Sequence, residues 1–157
     1  MSWTDAFMDI PHVPGGRSRA GADCFGLYAI VLEEAAGVTV DRYAHARFGA
    51  TGAGAIATAI ARGDWRCIAR GEAGTPGLPL ALKQAARRFD AVLMTAHVRV
   101  AGAWRRADLH IGCAVGNGLM LHSEGGAGPQ LVAIDDPSIA HRLRGVYRPA
   151  ALTERAA

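Results

Sequence analysis

The stretch DLHIGCAVGNGLMLHS, residues 108–123, decides the architecture. Two alternating apolar runs flank Gly116-Asn117-Gly118, the composition of a tight β-hairpin turn. In the first run the odd positions Leu109, Ile111, Cys113 and Val115 make a core face, and the even positions Asp108, His110, Gly112 and Ala114 make a polar or small one. In the second run Met120 and His122 share a face. A two-residue Asn-Gly turn pairs 116 with 119 and throws the two histidines onto opposite faces. A three-residue loop pairs Gly112 with His122 and makes His110 and His122 diagonal neighbours, roughly 7 Å apart at Cβ. The expectation is the three-residue form, with Gly118 at positive φ.

Outward from this hairpin, short β-rich runs at 91–100, 131–134 and 146–148 complete an antiparallel meander. Upstream the period changes. Asp23 to Ala36, DCFGLYAIVLEEAA, reads as a helix with Asp23 as N-cap and Gly37 as stop, apolar on nearly all sides and so packed deep against a sheet. Weaker helices are expected over 51–62 and 78–89, the second with Pro79 in its first turn and Leu78, Leu82, Ala85, Ala86 and Phe89 facing the core. Residues 1–22 form an irregular lead-in, and 69–77 a Gly-rich loop. Helices first and an antiparallel sheet second define the α+β class. Residues 1–150 make one domain, and 151–157 a frayed tail.

The 157 residues are 50% hydrophobic and 20% charged, enough for one core that needs no metal or disulfide to hold it. The net charge of +3 comes from basic residues scattered along the chain, so no nucleic-acid partner is expected. No apolar run approaches the length of a membrane span, and MSWTDAFMDIPH lacks a leader's basic and apolar regions, so synthesis and folding in a cytoplasm are expected. The three cysteines, Cys24, Cys67 and Cys113, show no C-x-x-C spacing. Cys67 and Cys113 are expected to be buried.

Cys24 opens its helix, where unpaired N–H groups and the helix dipole favour a thiolate. A thiol there, together with two same-face histidines on a hairpin, is a combination much less expected by chance than either alone, and it suits nucleophilic catalysis. Asp23 either caps the helix or binds a substrate amine. Asp108, His110, His122 and Asp135 lack metal-ligand spacing, so no metal is expected. His45, His97 and His141 are expected to be exposed or structural, and Gly125–Gly128 a hairpin loop.

Pro11-His12-Val13-Pro14-Gly15-Gly16-Arg17 followed by Gly21-Ala22-Asp23-Cys24-Phe25-Gly26-Leu27 resembles the Gly-Gly then Asp-Cys-small-Gly-Leu signature of NlpC-type cell-wall peptidases, papain-like cysteine hydrolases with a permuted chain order. His110-Ile111-Gly112 with Gly116-Asn117-Gly118-Leu119-Met120-Leu121-His122 is similar to that family's two-histidine segment, and Phe89-Asp90-Ala91-Val92-Leu93-Met94 to the strand before it. The three blocks follow the family order over residues 10–124. The Arg17 to Gly21 insert and the late Gly145-Val146-Tyr147-Arg148-Pro149 look more like the phage-tail and gene-transfer-agent branch.

The resemblance implies a permuted papain-like fold in which an N-terminal helix carrying the cysteine packs on a C-terminal antiparallel sheet. It implies a Cys-His-His triad: Cys24 attacks, His110 transfers the proton, and His122 orients His110. The implied substrate is the peptidoglycan stem peptide, cut after D-γ-glutamate, with phage-tail proteins as partners and no cofactor. The family usually carries an aromatic residue, often Tyr, where this chain has His12. His12 either supplies that hydrogen bond to substrate or is a loop histidine without a role. With Asp23 and Asp108 it completes the expected substrate contacts. The alternatives are a tail-assembly or tail-tip structural protein, and an amidase or acyltransferase of the same superfamily.

Overall fold

The computed structural model describes residues 2–43 and 52–154, with backbone alone at 97–100, 104–108 and 154. A 3-10 turn, Trp3–Phe7, leads into a small hairpin of β1 (Arg17–Ser18) and β2 (Gly21–Ala22). Helix α1 (Cys24–Val31) follows and continues as a π-helical turn, Leu32–Ala36, that ends at Gly37 in the left-handed region, φ 63°. Then come α2 (Gly52–Ala61), β3 (Trp65–Arg70), α3 (Leu78–Ala85), β4 (Ala91–Val100), β5 (Ala103–Gly116), β6 (Leu119–Ser123), β7 (Pro129–Ala133), α4 (Pro137–Ala140), β8 (Leu143–Pro149) and α5 (Ala150–Glu154). Strands β3 to β8 form one antiparallel sheet in the order β3-β8-β4-β5-β6-β7. The α+β expectation holds.

All eight residues of α1 are buried, as its apolar circumference requires. It packs with α2 on one side of the sheet, where Phe25, Leu27, Tyr28, Ile56, Leu93, Ile111, Cys113 and Leu121 share a core. Phe25 stacks on Trp65 and Tyr28 meets the same indole edge-on, with ring centroids 6.0 and 5.4 Å apart. The Tyr28 hydroxyl donates to the Phe89 carbonyl at 2.8 Å, so the buried phenol is satisfied. A second core joins Leu82 of α3 and Ile139 of α4 to Val92, Met94, Ala114, Met120 and Val146.

The hairpin departs from expectation in its cause but not in its result. Gly116 pairs with Leu119 across a two-residue turn in which both Asn117 (φ 52°) and Gly118 (φ 71°) are left-handed, the geometry that matches strand twist. Val115 is then an extra residue: the register moves to Ala114 opposite Met120 and Cys113 opposite Leu121. This β-bulge undoes the parity of the short turn and returns His110 and His122 to one face.

Three other expectations are corrected. Strand β3 was not anticipated, because an edge strand with a bulge at Ile68 lacks clean alternation. The helix expected to Phe89 stops at Ala85. The Asp90 carboxylate accepts from the Arg87 N–H and from the Arg148 side chain, and Phe89 adopts φ 73° to pack edge-on against Trp3. Beyond Pro149, where fraying was expected, α5 forms with Leu152 against the main core, and residues 155–157 lie outside the described residues.

Gly26 is set by a close approach: a Cβ there would overlap the Gly16 carbonyl oxygen, a backbone atom that cannot step aside. Gly26→Ala is therefore expected to lower stability by about 1–3 kcal/mol, the usual cost of overpacking. Urea unfolding of both proteins checks this, and an unchanged midpoint would contradict the close packing of the β1–β2 hairpin on α1.

Candidate active site

Asp23 precedes α1 in extended conformation, and its Oδ1 accepts from the Gly26 N–H at 2.8 Å, so it caps the helix. Its Oδ2 is bound by Arg17 Nη1 at 2.7 Å. Both oxygens are engaged, and a substrate amine would have to compete with that guanidinium.

The cap sets Cys24 in the first turn, where the chain next buries it. The residue is 9% exposed, and burial pushes its thiol up to about 12 although backbone hydrogen bonding at Ile111 and Phe25 pulls the other way. The sulfur thus lies against β5 at the residue after His110. Among the described residues no hydrogen bond joins the thiol to His110.

His110 and His122 are each 4% exposed, and His110 Nε2 lies 2.9 Å from His122 Nδ1. The rings meet edge-on, with centroids 5.2 Å apart. Gly112 makes the room: a Cβ there would stand 2.7 Å from Met120 Sδ and 3.3 Å from His122 Cβ. Burial pushes the His110 imidazole down to about 3 and lowers His122 as well, so both are neutral at pH 7. With Nε2 spent on His122, the Nδ1 of His110 is the nitrogen left to take a proton.

His12 comes from the lead-in, which bridges Ala22 at the same end of the sheet, and its Nδ1 lies 3.0 Å from Ser123 Oγ. Asp108 is the bulged residue of β5 opposite Thr95 and Ala96, and its side chain lies outside the described residues, as do the side chain of His97 and the whole of His45. His141 is exposed, as expected, with Nδ1 3.2 Å from the Pro137 carbonyl oxygen. Cys113 is buried as expected, whereas Cys67 is exposed, because β3 lies at the sheet edge.

Sequence reasoning missed Glu124 and Arg142. Arg142 Nη1 and Nη2 donate to the two Glu124 oxygens at 2.9 and 2.6 Å, and its Nε donates to the Thr95 carbonyl at 2.8 Å. A carboxylate oxygen of Glu124 and a ring nitrogen from each histidine lie within 4.8 Å of one another. Such a group has the atoms for a metal site, but Arg142 already holds both oxygens and the histidines hold each other. Asp135, another acid weighed for metal binding, is held by Lys83 at 2.8 and 2.9 Å. Only the adjacency of Glu124 to His122-Ser123 signalled its place, and no spacing tied it to Arg142.

No family model matches the sequence, and no curated protein matches it. Among solved structures it is similar to an NlpC/P60 family protein from Bacillus cereus, with TM-score 0.51 and 18% identity over 92% of this chain. The chain spans 37% of the length of that protein. It also aligns with the NlpC/p60 domain of the peptidoglycan hydrolase SagA (TM-score 0.47, 14% identity, 92% of this chain and 91% of that domain). A third match is an NLP/P60 family protein, similar to lipoprotein, from Staphylococcus aureus (TM-score 0.48, 16% identity, 92% of this chain and 38% of that one). The likeness to the Bacillus cereus protein identifies the fold as the papain-like one of NlpC/P60 proteins, with the Cys24 helix packed on the sheet.

Two measurements check the electrostatics. The folded His110 value of about 3 lies below its ordinary 6.5, so the unfolded chain binds the proton first, and stability falls as pH drops below about 6.5. Glu124 acts with the same sign: burial is the largest single influence and opposes its ionisation, but the Arg142 hydrogen bond together with the charges of Arg142 and the histidines holds the carboxyl below its usual range. The melting temperature is expected to be flat above pH 7 and to fall steadily from pH 6.5 to 4, less steeply in His110→Gln; a flat profile would contradict neutral burial. In timed alkylation at pH 7 read by peptide mass, exposed Cys67 is expected to label first and Cys113 last.

Proposed function

We propose that this chain is a cysteine peptidase that hydrolyses peptidoglycan stem peptides, at a D-γ-glutamyl-diamino-acid type bond, as part of a phage or phage-derived tail. The observation that carries the chemistry is the bonded pair His110–His122 together with a thiol, at the start of a buried helix, that lies against the backbone of Ile111, the residue after His110. Cys24 Sγ attacks the amide carbonyl as its proton passes to His110 Nδ1. His122 accepts from His110 Nε2–H and so keeps Nδ1 as the basic nitrogen. The resulting imidazolium returns the proton to the leaving amine, and water then hydrolyses the thioester. The Cys24 backbone N–H, in a first turn that lacks intrahelical acceptors, stabilises the oxyanion.

His12, held beside the pair through Ser123, is the nearest candidate for substrate contact, with Asp23 and Asp108 as further ones. The tail setting, with synthesis in the cytoplasm and action at the cell wall in a particle, draws on the Arg17 to Gly21 insert and on residues 145–149. One observation favours a second reading, a tail-assembly or tail-tip structural protein with weak or no hydrolase activity: the thiol is buried and not bonded to His110.

Reduced wild-type protein and Cys24→Ala, incubated with defined murein tri- and tetrapeptides and analysed by mass spectrometry, separate the two. Cleavage by wild type alone is expected, with loss of at least about 10³-fold in the variant. Intact peptides with both proteins would favour the structural role.

A further inference from the structure

The neutral histidine pair has two arrangements of its protons, and only one is productive. If His110 carries hydrogen on Nε2, it donates to His122 Nδ1, and Nδ1 of His110 is a base. If His122 carries hydrogen on Nδ1 instead, it donates to His110 Nε2, the His110 hydrogen sits on Nδ1, and the base is lost. A 2.9 Å bond is compatible with both. The choice is made at the far nitrogen of the pair, His122 Nε2, which bears hydrogen in the productive form and a lone pair in the other.

That nitrogen is buried and, among the described residues, has no hydrogen-bond partner. As a donor it would cost about 1–3 kcal/mol left unpaired, so a nearby group that compensates an N–H there decides which form is populated. Among the described residues the titratable and charged groups facing the pair are Glu124, which follows β6, Arg142, which precedes β8, and His12 from the lead-in. Among them Glu124 alone is anionic. Its carboxylate lies within 4.8 Å of a ring nitrogen of each histidine, and Arg142 fixes it bidentately while itself being tied to the Thr95 carbonyl. A fixed negative charge stabilises a nearby N–H and destabilises a lone pair in the same place, and Nε2 is the His122 nitrogen that His110 does not already engage.

We infer that Glu124, clamped by Arg142, is a positioning residue that holds His122 in the Nε2–H form and thereby leaves Nδ1 of His110 as the base. The inference rests on the assignment of Cys24, His110 and His122 as a catalytic group, and it specifies how that group is biased toward its working protonation state. The same carboxylate stabilises the imidazolium formed when His110 takes the thiol proton. Arg142 limits this effect to a modest one, so that His110 still releases the proton.

The test needs no substrate. Long-range ¹H–¹⁵N spectra of histidine-labelled protein at pH 7.5 report which ring nitrogen bears hydrogen. Wild type is expected to show Nε2–H on both His110 and His122. Nδ1–H on His122 would overturn the inference without any variant. In Glu124→Gln, which keeps the size of the side chain and an acceptor for Arg142, His122 is expected to populate Nδ1–H. Iodoacetamide alkylation of Cys24 should then slow by at least about tenfold across pH 6–9, given that a wrong tautomer in a catalytic triad costs up to ~10⁴. Glu124→Asp is expected to restore part of both signals. Unchanged tautomers and rates in Glu124→Gln would overturn the role. A peptidase assay that failed while the tautomers behaved as stated would count against the substrate assignment alone.

Discussion

A hydrogen bond between two buried imidazoles constrains more of this molecule than any other contact. For His110 Nε2 and His122 Nδ1 to stand 2.9 Å apart, β5 and β6 must hold one register and present both side chains on one face. The two-residue turn at Asn117-Gly118 sets the strands closely, the bulge at Val115 repairs the parity, and Gly112 leaves the space beside His122. Change of one residue in that register would send one ring to the opposite face. The paired β4 and β7 on either side hold the hairpin in place.

The same burial that orders the site also makes it electrically quiet. Away from water the thiol rises to about 12 and His110 falls to about 3, so both groups rest uncharged. Two fixed ion pairs stand around it. Arg17 on Asp23 steadies the helix cap behind the sulfur, and Arg142 on Glu124 steadies a carboxylate beside the histidines. Each is a fixed ion pair next to one of the buried groups.

Much of this was legible in the sequence because the decisive signals are local. The Asp23 cap, the apolar run of α1 and the Gly37 stop each depend on neighbouring residues, and the structure reproduces them. The same-face histidines were also foreseen, but through a three-residue loop; the turn is shorter and a bulge compensates, which no periodicity encodes. The end of α3 was misplaced because Asp90 takes the Arg87 N–H, a competition decided by the ion pair with Arg148 far along the chain. Arg142 and Glu124 were invisible for the same reason: their meeting is a product of sheet order, 18 residues apart and on different strand ends.

The central claim is that Cys24 is a nucleophile whose reactivity depends on His110. It is tested most directly by a D-γ-glutamyl peptide in which an acyloxymethyl ketone replaces the scissile amide and the diamino acid after it, so that the thiolate displaces the carboxylate, with the adduct located by peptide mapping. The expected result is one adduct, on Cys24, lost in His110→Ala while that variant remains folded. Labelling of the exposed Cys67 in place of Cys24, or equal labelling of Cys24 without His110, would contradict the account.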